Sequence, residues 1–330
     1  MNNNVIELNY DSSFIDYLSL TSGINYKCIP YKPKAFIRKF TPHEKHKFKK
    51  GEACIKKCKC KGNKCKNSKV CNLRKLYKYV FYIKLSKNRG VYAVLCLQPT
   101  PFLKVLDNTP AFLRLEFNPS KMRDEDYRLL LKRLIALFGP TLAESILNRA
   151  IVTRYDPAID LPDMDVRDYT YHANNKQVSE FVGTEAKGLT LYLGQRRGSR
   201  CSFLRLYAKL KEMEHKGQQY FSNYNEVLRI EHCNKNRIPL HELADQPSPF
   251  SSLKVYNDFT DDDRFSTRFI KRCKRYGIPH ALHKIKSEKR RRRYLRWMKK
   301  YEVKLLDHDE LGQQFKEVSQ DLLKNLKIAT

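Results

Sequence analysis

The chain has 330 residues, of which 41% are hydrophobic, and its formal net charge is +30. This apolar content is enough for one large or two medium cores, so a wholly disordered chain is excluded. The positive charge is far beyond what solubility requires and predicts a polyanionic partner, and nucleic acid is favoured over a membrane surface because neutralising phosphates releases counterions.

The sequence also predicts a cytoplasmic protein with no membrane partner. It has no apolar run of about eighteen residues, the length at which a membrane span is expected. The opening stretch "MNNNVIELNYDSS" lacks the basic and apolar regions of a secretory signal. A reducing compartment argues against a disulfide scaffold for the ten cysteines.

Residues 1–75 are predicted to be irregular and basic. Five cysteines crowd into "CIKKCKCKGNKCKNSKVC" at spacings that differ from paired C-x-x-C knuckles. Thiolates so close in sequence can converge on one ion, so a Zn²⁺-binding loop is one interpretation. The interleaved lysines favour the other, a basic hairpin that touches DNA. The candidate zinc ligands are Cys54, Cys58, Cys60, Cys65 and Cys71.

Regular structure is predicted from about residue 76. Alternating, β-branched and aromatic segments predict the strands "YKYVFYIKL", "GVYAVLCLQP", "AFLRLEFNP", "IVTRYDPAIDLP", "QVSEFVG", "GLTLYLGQR", "SFLRLYAKL" and "EVLRIEHC". Leucines at helical spacing predict a helix ended by Gly139 and Pro140, with a short helix over "AESILNRA". From Ser252 the period is helical. We predict an α+β fold with a largely antiparallel curved β-sheet, packed helices and a basic helical C-terminal tail. The predicted domains are 1–75, 76–250 and 251–330.

Charged residues recur at every second position of several predicted strands. "FLRLEFN" and "VLRIEHCN" share an apolar-Leu-Arg-apolar-Glu pattern, and "FLRLY" has tyrosine in place of the glutamate. The alternation places each pair on one polar face of its strand. Ion pairing on a solvated face would explain the charged residues of each strand alone. It explains less well why four strands share the pattern in a protein with so large an excess of positive charge. The pairs are Arg114 with Glu116, Arg229 with Glu231, Arg205 with Tyr207, and Arg154 with Asp156 and Asp160.

This combination of residue types suits DNA strand transfer. A tyrosine can attack a phosphodiester and hold the 5′ phosphate as an ester, while carboxylates hold a divalent cation that neutralises phosphate charge. Adjacent cations stabilise the charged transition state. On this interpretation Tyr207 is the nucleophile, with Arg205 and Lys209 predicted on the same strand face.

The ordered set "LRLEFNP", "TRYDPAIDL", "LTLYLGQRRGSRCSFLRLYAKLKE" and "VLRIEH" resembles the replication initiation factor family, the rolling-circle initiators of the staphylococcal plasmid type and their phage and mobile-element relatives. The resemblance covers roughly residues 112–242. It implies that Tyr207 nicks one DNA strand at an origin and that Mg²⁺ or Mn²⁺ is bound by Glu116, Asp156 and Glu231. Asp160 is a substitute ligand, because Pro157 predicts an edge or a bulge beside Asp156. The resemblance further implies a homodimer and a host helicase partner.

Three alternatives stay open at this point. Tyr192 is a rival nucleophile, since it falls on the same face as Tyr207 of the predicted sheet. A non-enzymatic DNA-binding replication or transcription regulator would use the same basic surface. An RNA-binding protein would use it too, but would leave the carboxylates unexplained. The predicted DNA contacts are Arg196, Arg197, Arg290, Arg291, Arg292 and Arg293.

Overall fold

The computed structural model describes residues 13–23, 76–86, 90–99, 112–174, 176–184, 188–196, 202–217 and 224–328. The cysteine-rich loop and Arg197 lie outside these ranges, so the predictions on them stay predictions. The described chain combines helices with a large antiparallel sheet, and this confirms the predicted α+β class. None of the helices in the described ranges has both the length and the hydropathy of a membrane span.

The chain divides into two compact units. The first unit comprises Tyr17–Arg154, Arg237–Leu243 and Gln320–Thr330, and the second comprises Met1–Asp16, Tyr155–Asn236 and Ala244–Ser319. Each unit has a layer of antiparallel strands, and the long strand β5 contributes residues to both.

The first unit contains most of strand β1 and the order β2-β3-β4-β1-β5, with β11 beside the start of β5. Leucines on one side of α1 are buried, as their helical spacing predicts. Gly139 has a φ of +79° where α1 ends and α2 begins, which confirms the predicted helix stop. The elements are β1 (Phe14–Ser22), β2 (Tyr77–Lys84), β3 (Tyr92–Pro99), β4 (Leu113–Phe117), α1 (Asp124–Phe138), α2 (Pro140–Asn148), β5 (Ile151–Pro162) and β11 (Ile238–Pro239).

Strand β1 contradicts the prediction that residues 1–75 are irregular throughout. It pairs antiparallel with β4, from Leu18 opposite Phe117 to Ser22 opposite Leu113. The buried Ser19 hydroxyl lies 3.1 Å from the Thr153 hydroxyl on β5. Polar residues that are buried through such hydrogen bonds hide the alternation on which a strand prediction depends.

The second unit has the strand order β5-β10-β9-β8-β7 and a smaller sheet ordered β13-β12-β6. β12 and β13 correct the prediction that the chain is helical from Ser252 onward. Short 3₁₀ turns cover Leu240–Asp245, which begins in the first unit, and Lys299–Tyr301. The elements are β6 (Thr170–Ala173), β7 (Ser179–Thr184), β8 (Gly188–Leu193), β9 (Phe203–Ala208), α3 (Lys209–His215), β10 (Val227–Cys233), β12 (Leu253–Tyr256), α4 (Thr267–Tyr276), α5 (Ile278–His283), α6 (Glu288–Met298), β13 (Glu302–Val303) and α7 (His308–Asn325, whose last residues belong to the first unit).

The strands of the second unit have one apolar and one polar face. Leu204 and Leu206 of β9 are buried in a core that includes Leu228 and Ile230 of β10. Because successive side chains of a strand point to opposite faces, the arginines, tyrosines and carboxylates between these leucines share the other face. The predicted strand "SFLRLYAKL" ends at Ala208, however, and Lys209 is the first residue of α3.

The predicted basic helical tail has an aromatic cluster of its own. Tyr294 and Met298 of α6 are buried in an aromatic cluster with Phe265 and Phe269, and the Tyr294 and Phe269 rings lie 4.7 Å apart. The positive charges of α6 therefore occupy its remaining surface and do not ring the helix.

His172 on β6 makes the stability of the second unit depend on pH. Burial and the adjacent Lys254 lower its pKa to about 4, against the partial opposition of Glu302. As the pH falls, the unfolded chain takes up this proton before the folded protein does. The free energy of unfolding is therefore not reduced by His172 above pH 6.5, and it decreases as the pH falls toward 4. We expect a loss of roughly 2 kcal/mol between about pH 7 and about pH 4.5 from this group. Urea unfolding should show a smaller loss for His172→Gln, and an equal loss in both proteins would contradict the assignment.

Candidate active site

Strand pairing places Tyr207 within a row of charged residues. On the polar face of the second unit, Tyr207 of β9 lies opposite Arg229 of β10, and Arg205 lies opposite Glu231. Residues that face each other across antiparallel strands project to the same side of the sheet, so these four side chains are neighbours. The shared face that the sequence predicted for them is confirmed.

The hydroxyl of Tyr207 lies between a guanidinium and a carboxylate. Arg205 Nη2 donates to Tyr207 Oη at 3.0 Å and to Glu231 Oε2 at 2.5 Å. Tyr207 Oη donates in turn to Glu231 Oε2 at 3.3 Å. The Arg205 guanidinium carbon is also 4.2 Å from the centre of the Tyr207 ring. The phenol therefore has a proton acceptor and a positive counter-charge already in contact.

Tyr207 is protonated in the free protein. The residue is only 4% exposed. Burial and then the charge of Glu231 raise the pKa of the phenol well above its usual value, although Arg205 and Arg229 act in the opposite direction. Reaction at this oxygen consequently requires a base that accepts the proton, and Glu231 is the carboxylate in contact with it.

Lys209 lies beside the same ring although it belongs to α3. Its Nζ is 5.8 Å from the centre of the Tyr207 ring and donates to Glu212 Oε2 at 2.8 Å. Burial and the charge of Arg229 lower the pKa of Lys209, and Glu212 opposes them. Burial alone would raise the pKa of Glu212, but Lys209 and Lys216 bring it down to about 2. Lys209 is thus a more acidic ammonium than an exposed lysine, and it lies next to the candidate nucleophile.

Arg229 also belongs to the candidate site, although the sequence placed it only on a polar face with Glu231 and gave it no role. It is 5% exposed, and its Nε and Nη2 each lie 2.5 Å from a different oxygen of the fully buried Asp160. Asp16 Oδ1 is 3.8 Å from Arg229 Nη1. A bidentate pair of this kind holds the guanidinium in a fixed plane, and Arg229 in turn acts on the pKa of Tyr207 and Lys209.

Breaking this pair should destabilise the protein. We expect Asp160→Asn to lower the free energy of unfolding by about 3 kcal/mol, because it leaves a buried arginine without its counter-charge. Urea unfolding at neutral pH measures the effect. The double variant Asp160→Leu with Arg229→Met is the control and should recover part of the loss. A change of less than about 1 kcal/mol for Asp160→Asn, typical of exposed pairs, would contradict the buried pairing.

The four predicted metal ligands are divided between the two units. Asp156, Asp160 and Glu231 belong to the second, and Glu116 belongs to the first. Within the described ranges no three His, Cys, Asp or Glu side chains form a group able to hold a metal ion. Both oxygens of Asp160 are bonded to Arg229, whereas the contacts of Glu231 with Arg205 and Tyr207 all fall on Oε2.

Pro157 does not shift the register of β5 against β10, contrary to the predicted bulge, and β5 has a neighbour on each side in the strand order, contrary to the predicted edge. Ala158 lies opposite Glu231, and Tyr155 lies opposite Asn234, so the offset of β10 against β5 is the same on both sides of the proline. Asp156 is therefore on the same face as Asp160, and it is buried.

Within the first unit, Glu116 lies in a cluster of similar composition. Arg114 Nη2 is 2.7 Å from Glu116 Oε1. Burial and then the charge of Glu116 raise the pKa of Tyr17, and the Arg154 guanidinium is 4.8 Å from the centre of its ring. The repeated "LRLEF" and "LRIEH" patterns thus each place an arginine and a glutamate beside a tyrosine. The part played by Tyr17 was not predicted, because its strand was not.

The structure also shows the exposure and contacts of the rival nucleophile, Tyr192, and of the predicted DNA-binding arginines in the described ranges. Tyr192 is half-buried, and the Arg196 guanidinium lies 4.2 Å from its ring centre and bonds to Glu180 at 2.6 Å. On α6, Arg290, Arg292 and Arg293 are exposed and Arg291 is half-buried, with Arg292 bonded to Glu288 at 2.5 Å. Tyr192 lacks the direct hydroxyl contact with a carboxylate that Tyr207 has among the described residues.

No protein-family model matches the chain, and no curated protein matches it. The resemblance to the replication initiation factor family therefore stays a prediction from the sequence motifs.

Proposed function

We propose that the protein is a rolling-circle replication initiator that nicks and rejoins one DNA strand through a covalent 5′-phosphotyrosine intermediate on Tyr207. The observation that supports this most is the position of the Tyr207 hydroxyl, 3.0 Å from the Arg205 guanidinium and 3.3 Å from the Glu231 carboxylate. A nucleophile, a base and a stabilising cation are the groups that a metal-dependent nicking-closing enzyme needs.

The proposed step balances with these residues. Glu231 accepts the phenolic proton as Tyr207 Oη forms a bond to phosphorus, and the bond from phosphorus to the 3′ oxygen breaks. Lys209, with its lowered pKa, supplies a proton to that departing oxygen. Arg205 and Arg229 offset the negative charge that develops on the phosphoryl oxygens. Rejoining is the reverse, with a 3′ hydroxyl attacking the phosphotyrosine, so no ATP is consumed.

A Mg²⁺ or Mn²⁺ ion belongs to the proposal. Glu231 suits an oxygen-preferring cation better than Asp160 does, because its contacts with Arg205 and Tyr207 fall on Oε2, whereas both oxygens of Asp160 are bonded to Arg229. Asp156 and Glu116 stay predicted ligands from the sequence. When bound, the ion would neutralise charge on the phosphate.

DNA as partner is supported by the net charge of +30 and by the exposed arginines of α6. The cytoplasmic location stays a prediction from the sequence. The homodimer and the host helicase rest on the resemblance alone.

The test is incubation of the protein with supercoiled DNA from its own replicon and Mg²⁺ or Mn²⁺. The proposal predicts open circles that carry covalently attached protein at a single site. Supercoiled DNA that is bound yet uncut with either ion would instead favour the alternative.

That alternative is a non-enzymatic DNA-binding replication or transcription regulator. It is favoured by the burial of Tyr207, whose exposed fraction is 4%. In such a protein the Arg205, Tyr207 and Glu231 cluster would serve only to stabilise the sheet.

A further inference from the structure

Helices α4 and α6 border a concave pocket of about 530 Å³ in the second unit, here called the α4–α6 pocket. Seven of its lining residues are lysine or arginine, and among the described residues that line it none is acidic. The lining residues are Ser266, Arg268, Phe269, Arg272, Lys284, Ile285, Lys286, Ser287, Lys289, Arg290, Arg293 and Tyr294.

The composition of this pocket differs from that of the other basic parts of the fold. Several described arginines elsewhere pair with carboxylates, as Arg229 does with Asp160 and Arg292 with Glu288. In the α4–α6 pocket like charges come from two helices and the loop before α6, and the wall supplies no acidic side chain to balance them. Concentrated charge of one sign in a concavity raises the local concentration of counter-ions and favours a polyanion.

The lining also discriminates between kinds of polyanion. Its two aromatic residues, Phe269 and Tyr294, are each 3% exposed and pack in the aromatic cluster. Single strands are bound largely by stacking bases on exposed rings, and this pocket offers no such ring among its lining residues. The ammonium and guanidinium groups of the lining, together with the hydroxyls of Ser266 and Ser287, are suited to bind phosphate oxygens.

We propose that the α4–α6 pocket holds the phosphate backbone of duplex DNA without reading its sequence. The proposal extends the proposed function, since it supplies the double-stranded origin with a binding surface distinct from the Tyr207 site. It adds Arg268, Arg272, Lys284, Lys286 and Lys289 to the predicted DNA contacts on α6.

The test compares two variants that each remove four positive charges. The pocket variant is Arg268→Gln, Arg272→Gln, Lys289→Gln and Arg290→Gln. The control is Lys271→Gln, Arg296→Gln, Lys299→Gln and Lys300→Gln, four exposed residues of the same region that do not line the pocket. Fluorescence anisotropy measures binding to a random-sequence duplex, to a single strand of equal length and to phosphatidylserine vesicles, over a range of salt concentrations.

We expect the slope of log affinity against log salt on the duplex to become shallower by up to about 0.9 for each lost phosphate contact in the pocket variant. The control slope should change much less, and the single strand should be affected less than the duplex. An equal change in both variants would overturn the proposal, as would a larger effect on the single strand or a loss confined to vesicle binding.

These outcomes are separable from the fate of the proposed nicking activity. Duplex binding needs no cleavage. A wild-type protein that binds duplex through the pocket but never nicks it would therefore refute the initiator function, while the proposed role of the pocket in binding would hold. Conversely, adduct formation on a short single-stranded oligonucleotide should be retained by the pocket variant, and equal duplex slopes would refute the pocket even if that adduct forms.

Discussion

Tyr207→Phe is expected to abolish nicking, joining and the covalent protein–DNA adduct together. Phenylalanine keeps the ring that packs against the Arg205 guanidinium and removes only the hydroxyl that bridges Arg205 and Glu231. Folding should survive, because a hydrogen bond of this kind contributes about 0.5–1.5 kcal/mol, or somewhat more with charged partners. Supercoiled DNA conversion and denaturing gels measure the loss, and duplex affinity should be unchanged.

Tyr192→Phe is the matched control. Tyr192 lies on the same face and has its own cation, Arg196, at 4.2 Å, but its hydroxyl is not placed between a guanidinium and a carboxylate in the described structure. We expect this variant to form the adduct at a rate close to that of the wild type. An adduct that persists in Tyr207→Phe and disappears in Tyr192→Phe would assign the chemistry to Tyr192.

Glu231→Gln should lower the nicking rate by about 10²–10⁴-fold. Glutamine still accepts a hydrogen bond from Tyr207, but it cannot take the phenolic proton, and burial keeps the pKa of that phenol high. Single-turnover nicking of supercoiled DNA at neutral pH gives the rate, and urea unfolding shows whether the variant is folded.

The control for this substitution is Glu226→Gln. Glu226 precedes β10, is largely exposed, and lies 3.8 Å from Lys211 across a solvated pair. The substitution Glu226→Gln removes the same charge from the same part of the chain. Because exposed ion pairs contribute little to stability, the nicking rate of this variant should stay within about twofold of the wild type. A Glu231→Gln protein that is folded and nicks as fast as Glu226→Gln would exclude Glu231 as the base.

The sequence predicted the polar face around Tyr207 because period-two alternation is a local signal. Leu204 and Leu206 mark the buried side of β9, and the residues between them must then face the other way. In β10, the same alternation predicted the shared polar face of Arg229 and Glu231 that the structure has. The partners across the strands depend on register, which the sequence does not reveal. Only the pairing of β9 with β10 shows that Arg205 lies opposite Glu231 and Tyr207 opposite Arg229.

What the sequence did not predict depends on contacts between distant segments. The strand spacing paired Arg229 with Glu231, yet its ion-pair partner is Asp160, 69 positions away, and their contact follows from the pairing of β5 with β10. β1 was missed because Ser19 is buried through a hydrogen bond to Thr153, 134 positions later. Lys209 was placed on β9, but α3 begins there, and only its position beside the Tyr207 ring was anticipated.

The central claim is that Tyr207 carries the DNA, and mass spectrometry of the trapped adduct tests it most directly. The protein is incubated with an oligonucleotide that contains the mapped nick site and a divalent cation, then digested with protease and nuclease. The account predicts a nucleotide phosphate attached to the peptide that contains Tyr207, and none on the peptides that contain Tyr192 or Tyr17. A phosphotyrosyl linkage on either of those peptides, with an unmodified Tyr207 peptide, would contradict it.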